Sequence, residues 1–223
     1  MESYNYNGFN YKMVNKFFPK KKLSILAGLR SIGKTTFATR LGNWLNSNGD
    51  SVLYLSLAEN AKYIFDNIRN RKIERFFVSD IPNLSLEEIH LIIEKHDFDV
   101  IIIDYIELMS GLEELRYLGR DVQLKHIIDS LSKLSHLYKI RIIAISSILS
   151  RNLGNIQTPA FEKCLPYIDD RMFLSTNLVL IHGKYHYENN VSNKKLDKME
   201  LIKYYMRTKD SEPIPTSYIF TYV

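Results

Sequence analysis

Apolar residues fall into short continuous runs separated by stretches in which they recur every three or four positions, the rhythm of strands alternating with helices. Residues 23–27 read as a strand, after which Phe37, Leu41, Trp44 and Leu45 share one helical face. The Asn48-Gly49-Asp50 turn leads into a second strand over 51–56. A third follows over 75–78, and the helix between them ends at the basic segment 69–72. Ser85, with Glu88 three residues on, makes a capping box for a helix over 84–96 striped by Leu86, Ile89 and Ile93. Residues 100–103 are apolar without alternation, as a parallel strand covered on both faces requires. A long helix over 121–138 carries Leu124, Ile127, Ile128, Leu131, Leu134 and Tyr138 at helical spacing, and residues 141–146 form another buried strand.

The last third changes character. Residues 177–182, 199–206 and 218–222 read as strands without long helices between them, which predicts antiparallel strands added to a parallel core. Residues 183–198, rich in asparagine and lysine, are expected to be a mobile loop or hairpin connection. The fold class is therefore α/β, a mostly parallel sheet flanked by helices with antiparallel strands near the carboxyl end.

The 223 residues suit one globular domain, and 45% apolar content excludes a disordered tail. Thirty basic against 25 acidic residues leave +5, compatible with a polyanionic partner without naming one. The single cysteine, Cys164, excludes an internal disulfide framework and suits a reducing compartment. His182, His186 and Cys164 match no metal-ligand spacing, and His90, His96, His126 and His136 read as helix edge or packing residues. No leader pattern and no apolar run long enough for a membrane span is present, so the expectation is a soluble cytoplasmic protein. Lys20 to Lys22 read as the solvated edge of the first strand rather than a targeting signal.

Candidate chemistry begins at the end of that strand. Gly28-Leu29-Arg30-Ser31-Ile32-Gly33-Lys34-Thr35 places two glycines, a lysine and a threonine between strand and helix, the spacing of a phosphate-binding loop. Its glycines let successive N–H groups turn toward phosphates, and the following helix adds its positive end. Lys34 supplies a point charge between the outer phosphates of a nucleotide, and Thr35 a hydroxyl to Mg2+. Asp104, closing the buried strand, lies where ligands bind in open α/β sheets and is expected to hold a magnesium-bound water. For the water-positioning carboxylate Glu59 is preferred and Glu107 competes, either being readable as surface charge. Ser147, after the 141–146 strand, either donates a hydrogen bond toward the phosphate or attacking water, or caps a turn.

The order of these segments resembles the RecA-like ATPase domain of DnaB-type hexameric replicative DNA helicases, from about residue 20 to the carboxyl end. LSILAGLRSIGKTTF looks like that family's strand and phosphate loop, with Thr36 and Phe37 matching its second threonine and phenylalanine. VLYLSLAEN resembles the segment ending in Ser-Leu-Glu, and IIIDYIELM the signature Ile-Asp-Tyr-Leu-Gln-Leu-Met. IIAISSILSR is similar to the strand ending in Ser-Gln-Leu followed by an arginine, here Arg151, and LIKYYMRTK to the strand with a Lys-x-Arg finger.

The resemblance implies a P-loop ATPase domain over 20–223 after an amino-terminal extension over 1–19. It implies ATP and Mg2+ as ligands, with Lys34, Thr35 and Asp104 in those roles and Arg207 as a finger entering a neighbouring subunit's site. It further implies a homo-oligomer, a hexameric ring, acting on single-stranded DNA alongside a replicative helicase or loader. Candidate channel loops are 151–163 and 183–198, the latter with Lys184, Lys194, Lys195, Lys198, Tyr185 and Tyr187. Departures from the family pattern are Ala58 at the catalytic glutamate position with Glu59 displaced by one, Glu107 for glutamine, Ser147 for the phosphate-sensing glutamine and Tyr205 for the finger lysine. The family's Asp-Leu-Arg-Glu-Ser-Gly segment has no copy around 164–173, and its helical amino-terminal domain has no counterpart. Two rival readings follow: a catalytically weak, ATP-dependent assembly or helicase-interacting module, and a RecA-like ATPase acting on another substrate.

Overall fold

The computed structural model describes residues 9–68, 74–115, 117–148, 176–187, 194–204 and 216–221. The expectations placed on Cys164, Arg151, Tyr205, Arg207 and the segments 69–72, 151–163 and 164–173 lie outside them. Continuous apolar runs become strands β1 (Leu23–Leu29), β2 (Val52–Ser56), β4 (Val100–Asp104) and β5 (Arg141–Ile148), joined by β3 (Phe76–Ser79), β6 (Thr176–Tyr187), β7 (Lys194–Tyr204) and β8 (Thr216–Thr221). They form a single sheet in the order β3-β2-β4-β5-β1-β6-β7-β8. The strands from β3 to β6 run parallel, whereas β7 and β8 add in antiparallel fashion, bearing out the expected architecture.

Both faces of the parallel part are covered, which is why β4 shows no alternation. Ile101 and Ile103 point to one side, where Leu86, Ile89 and Ile93 of α4 (Leu86–Lys95) and Leu124, Ile127, Ile128 and Leu131 of α5 (Arg120–Leu137) pack. Val100 and Ile102 point to the other, against α1 (Tyr11–Phe17), α2 (Lys34–Ser47) and α3 (Ala61–Asp66). The capping box of α4 forms as expected: the Ser85 N–H donates to Glu88 Oε2 at 2.8 Å and the Glu88 N–H to Ser85 Oγ at 3.2 Å.

Two features differ from the pattern-based expectation. Helix α1 has no counterpart in it, yet Phe9, Met13, Val14, Phe17 and Phe18 are all buried in the α2-side core. Arg141, almost fully buried at the start of β5, donates to Asn15 Oδ1 at 2.9 Å, and the Asn177 amide donates to the Phe17 carbonyl. The region 183–198, expected as a mobile loop or hairpin connection, does lie between the antiparallel strands β6 and β7, but pairing extends into it from both sides, with His186 opposite Lys195 and a register shift between Lys184 and Tyr185.

Candidate functional site

Parallel strands bring their carboxyl ends to one crest. Register places Gly28 of β1 beside Ser147 of β5, and Asp104 of β4 between Ser56 of β2 and Ile145 of β5. The chain leaves β1 through Leu29, exposes Arg30 and Ser31 at the tip, and returns to α2. Ser31 and Gly33 take left-handed backbone conformations, φ 60° and 94°, so the turn is tight enough to start α2 one residue later. Ile32, 3% exposed, anchors the loop in the core. Gly28 is required for a different reason: a Cβ there would lie 2.6 Å from Ile181 Cγ2 and 2.8 Å from the Ile181 carbonyl oxygen of β6.

Lys34, in the first turn of α2, is 2% exposed and folds back on the loop, donating to the Gly28 carbonyl at 2.9 Å and the Leu29 carbonyl at 2.7 Å. Burial pulls its ammonium down from 10.5 to about 8, a fall opposed by the Asp104 and Glu107 charges. Its Nζ stands 5.4 Å from the centre of the Tyr105 ring, and the Tyr105 hydroxyl is 3.5 Å from Thr35 Oγ1. Thr36 is half-buried beside them.

Asp104 is 1% exposed. Its Oδ2 accepts a 2.7 Å hydrogen bond from the Tyr54 hydroxyl, whereas its buried Oδ1 has no hydrogen-bond partner among the described residues. Burial pushes the carboxyl up from 3.8 to about 6, against the pull of Tyr54, the Thr35 hydroxyl and the Lys34 charge, while the Glu59 charge adds to the rise. An orphaned carboxylate oxygen among a hydroxyl and an ammonium is an arrangement that a hard divalent cation or its bound water satisfies. The donor chemistry of this corner is compatible with Mg2+.

The remaining carboxylates divide. Glu107 lies in the turn after β4, and its Oε1 accepts from the Ser146 hydroxyl and, at 3.0 Å, from the Ser147 N–H. It therefore ties the end of β4 to the end of β5, beneath the phosphate loop. Ser147 meets that tie through its backbone. Strand β2 ends at Ser56, and Glu59 sits three residues later in an exposed bend whose carbonyl accepts from the Ser56 hydroxyl at 2.7 Å. Lys34, Thr35, Asp104, Glu107 and Ser147 are thus gathered at one crest. Glu59 stands on its rim, and Arg207 lies outside the described residues.

Pattern reasoning passed over Tyr54 and Ser146. The available signal was a lone phenol in the otherwise aliphatic β2, two residues before Ser56 and hence on the same face.

Residues 54–160 match the family described as DnaB-like helicase C terminal domain, a span that holds Asp104, Glu107 and Ser147 and begins after the phosphate loop. A probable replicative DNA helicase of Trieres chinensis is 28% identical over 222 residues, an alignment covering 83% of this chain and 48% of that protein. The chain thus spans about half the length of this curated relative. Among solved structures, a DnaB-like replicative helicase, described together with its interactions with primase, superposes with a TM-score of 0.74 at 16% identity, over 97% of this chain and 60% of that one. A second solved structure, described as an ATPase domain, gives 0.70 at 16% identity, over 93% of this chain and 85% of that one. These two likenesses extend over nearly the whole chain and show the fold. Motif order, family match and architecture agree: the chain is similar to the DnaB-type replicative DNA helicases over much of its length and shares the α/β fold of the two solved structures.

Proposed function

We propose that the chain binds ATP with Mg2+ at the loop formed by Gly28 to Thr36 and hydrolyses it to move on single-stranded DNA or to unwind duplex DNA during replication, as part of a homo-oligomeric ring. The observation that carries this reading is the convergence of a buried ammonium on the phosphate loop with a buried carboxylate that keeps one oxygen unpartnered. Lys34 leaves the Gly28 and Leu29 carbonyls to meet the outer phosphates, Thr35 holds the metal, and Asp104 holds one of its waters. Bound magnesium supplies neutralisation of the phosphate charge. Glu59 and Glu107 are the carboxylates available to orient water, Ser147 supplies a donor beside Gly28, and Arg207 completes a neighbouring subunit's site. Assembly partners in this reading are further copies of the chain and a replicative helicase or loader.

Phosphate release measured with and without single-stranded DNA tests it. A severalfold stimulation is expected, and equal rates in both samples would remove the translocation reading. One observation favours the module that binds ATP and turns it over slowly: Ala58 and Glu59 lie beyond the end of β2, in the exposed bend. Tight ATP binding with neither turnover nor stimulation would select that module.

Asp104→Asn separates metal binding from folding. Because the folded chain keeps the Asp104 proton to a higher pH than the unfolded chain does, the stability of the ligand-free protein falls as pH rises from about 4 through about 6. Asparagine removes that slope. The variant should be more stable near pH 7 by about 1–2 kcal/mol while its metal-dependent nucleotide affinity drops about tenfold. Chemical denaturation at pH 5 and 7 and nucleotide titration with and without Mg2+ would show both effects; unchanged metal dependence would remove Asp104 from the metal site.

A further inference from the structure

Tyr54 plays no part in the site as read from motifs, yet it is a large, fully buried side chain and the hydroxyl that holds Asp104. It stands on β2 opposite Ile102, on the face that also carries Asp104 two residues farther along β4. A tyrosine is long enough to span that diagonal, whereas the aliphatic residues that fill the rest of the strand are not. Its ring is fixed by stacking on Phe76 of β3, with centroids 6.4 Å apart and planes 29° from parallel. Helix α2 closes over the same layer, where Gly42 packs directly on Ile102 and Phe76, so the phenol has little freedom to swing. A hydroxyl on a rigid arm determines which carboxylate oxygen it engages.

We propose that Tyr54 is the positioning residue of the metal site: by donating to Asp104 Oδ2 it fixes the carboxylate rotation so that Oδ1, left without a partner, faces Thr35 and the metal. This inference rests on Asp104 serving magnesium. An ordinary solvated strand-end aspartate needs no such clamp. Here the carboxylate is buried, and one oxygen is satisfied by the protein while the other is left for a ligand. Tyr54 touches neither phosphate nor metal and acts only through Asp104.

The test uses Tyr54→Phe, which keeps the ring against Phe76 and removes only the hydroxyl. Binding of a fluorescent ATP analogue is titrated at several Mg2+ concentrations and again in excess chelator, beside a thermal melt. The magnesium concentration giving half-maximal binding should rise about three- to tenfold, as loss of an outer-shell partner does, with metal-free affinity unchanged within about twofold. Adding Tyr54→Phe to Asp104→Asn should produce no further change. An unaltered magnesium requirement in Tyr54→Phe, with Asp104→Asn raising it, would overturn this inference and leave the metal site standing. A parallel loss of metal-free affinity would show general loosening and overturn it equally. An unaltered requirement in both variants would remove the metal site and the positioning role together.

Discussion

Lys34→Ala should lower ATP turnover by about 10²–10³ and weaken nucleotide binding by at least about tenfold. The side chain is nearly sealed from solvent and its ammonium is held by two loop carbonyls, a placement that alanine cannot reproduce. Arg30, the other cation of the loop, is exposed at its tip. Lys34→Arg should be nearly as damaging, because a planar fork does not fit the space that a single ammonium fills between the Gly28 and Leu29 carbonyls. The loss should not be one of folding. Burial already disfavours the charged amine, as its pKa of about 8 records, and alanine relieves that penalty while giving up two hydrogen bonds. Phosphate release, nucleotide titration and a thermal melt on the same preparation check these expectations. A variant with wild-type turnover would dismiss the phosphate loop as the seat of any activity.

Gly28→Ala should destabilise the protein by about 2–3 kcal/mol and abolish nucleotide binding together with it. The added methyl would meet the flexible end of Ile181 at 2.6 Å, which can rotate, and the Ile181 carbonyl at 2.8 Å, which cannot. That carbonyl belongs to β6, the strand paired with β1 one residue before, so relief requires either parting the two strands or moving the loop. Both displace Lys34, whose ammonium is bonded to the Gly28 carbonyl itself. Chemical denaturation and a nucleotide titration of the residual folded protein would read the two effects. A variant with native stability and affinity would mean that the loop entrance is looser than these distances allow.

Local rules carried the parts of the fold whose determinants lie close together in sequence. Ser85 and Glu88 are three residues apart and cap the same turn, and β4 announces its burial on both faces by four consecutive apolar residues. The phosphate loop needs only eight adjacent residues to be seen. What escaped depends on distant partners. Helix α1 is seven residues long, too short to persist by propensity alone, and it exists because Met13, Val14 and Phe17 find the α2-side core. Strands β6 and β7 are legible in their apolar inner parts, but their outer parts, 183–187 and 194–198, are largely polar, and pairing still extends through Tyr187 and Lys194 because each supplies the other's backbone bonds.

The site divides along the same line. Gly28, Lys34, Thr35 and Asp104 follow from motif and strand end. Glu107 could be placed near the crest by its position after β4, but its attachment to Ser146 and Ser147 joins residues about forty positions apart. Tyr54 lies fifty positions from Asp104, and nothing in β2 alone says which strand its hydroxyl reaches.

Helix α1 has a practical meaning for anyone trimming the protein. The phosphate loop and its carboxylates occupy one rim of the sheet, while Asn15 and Phe17 are fastened to Arg141 and Asn177 at the opposite rim, where β5 and β6 begin. A shortened version begun at residue 20 keeps every group named in the proposed chemistry and still uncovers the apolar surface that Phe9, Met13, Val14, Phe17 and Phe18 cover. Its failure in an assay would report clumping of that bared surface rather than anything about catalysis.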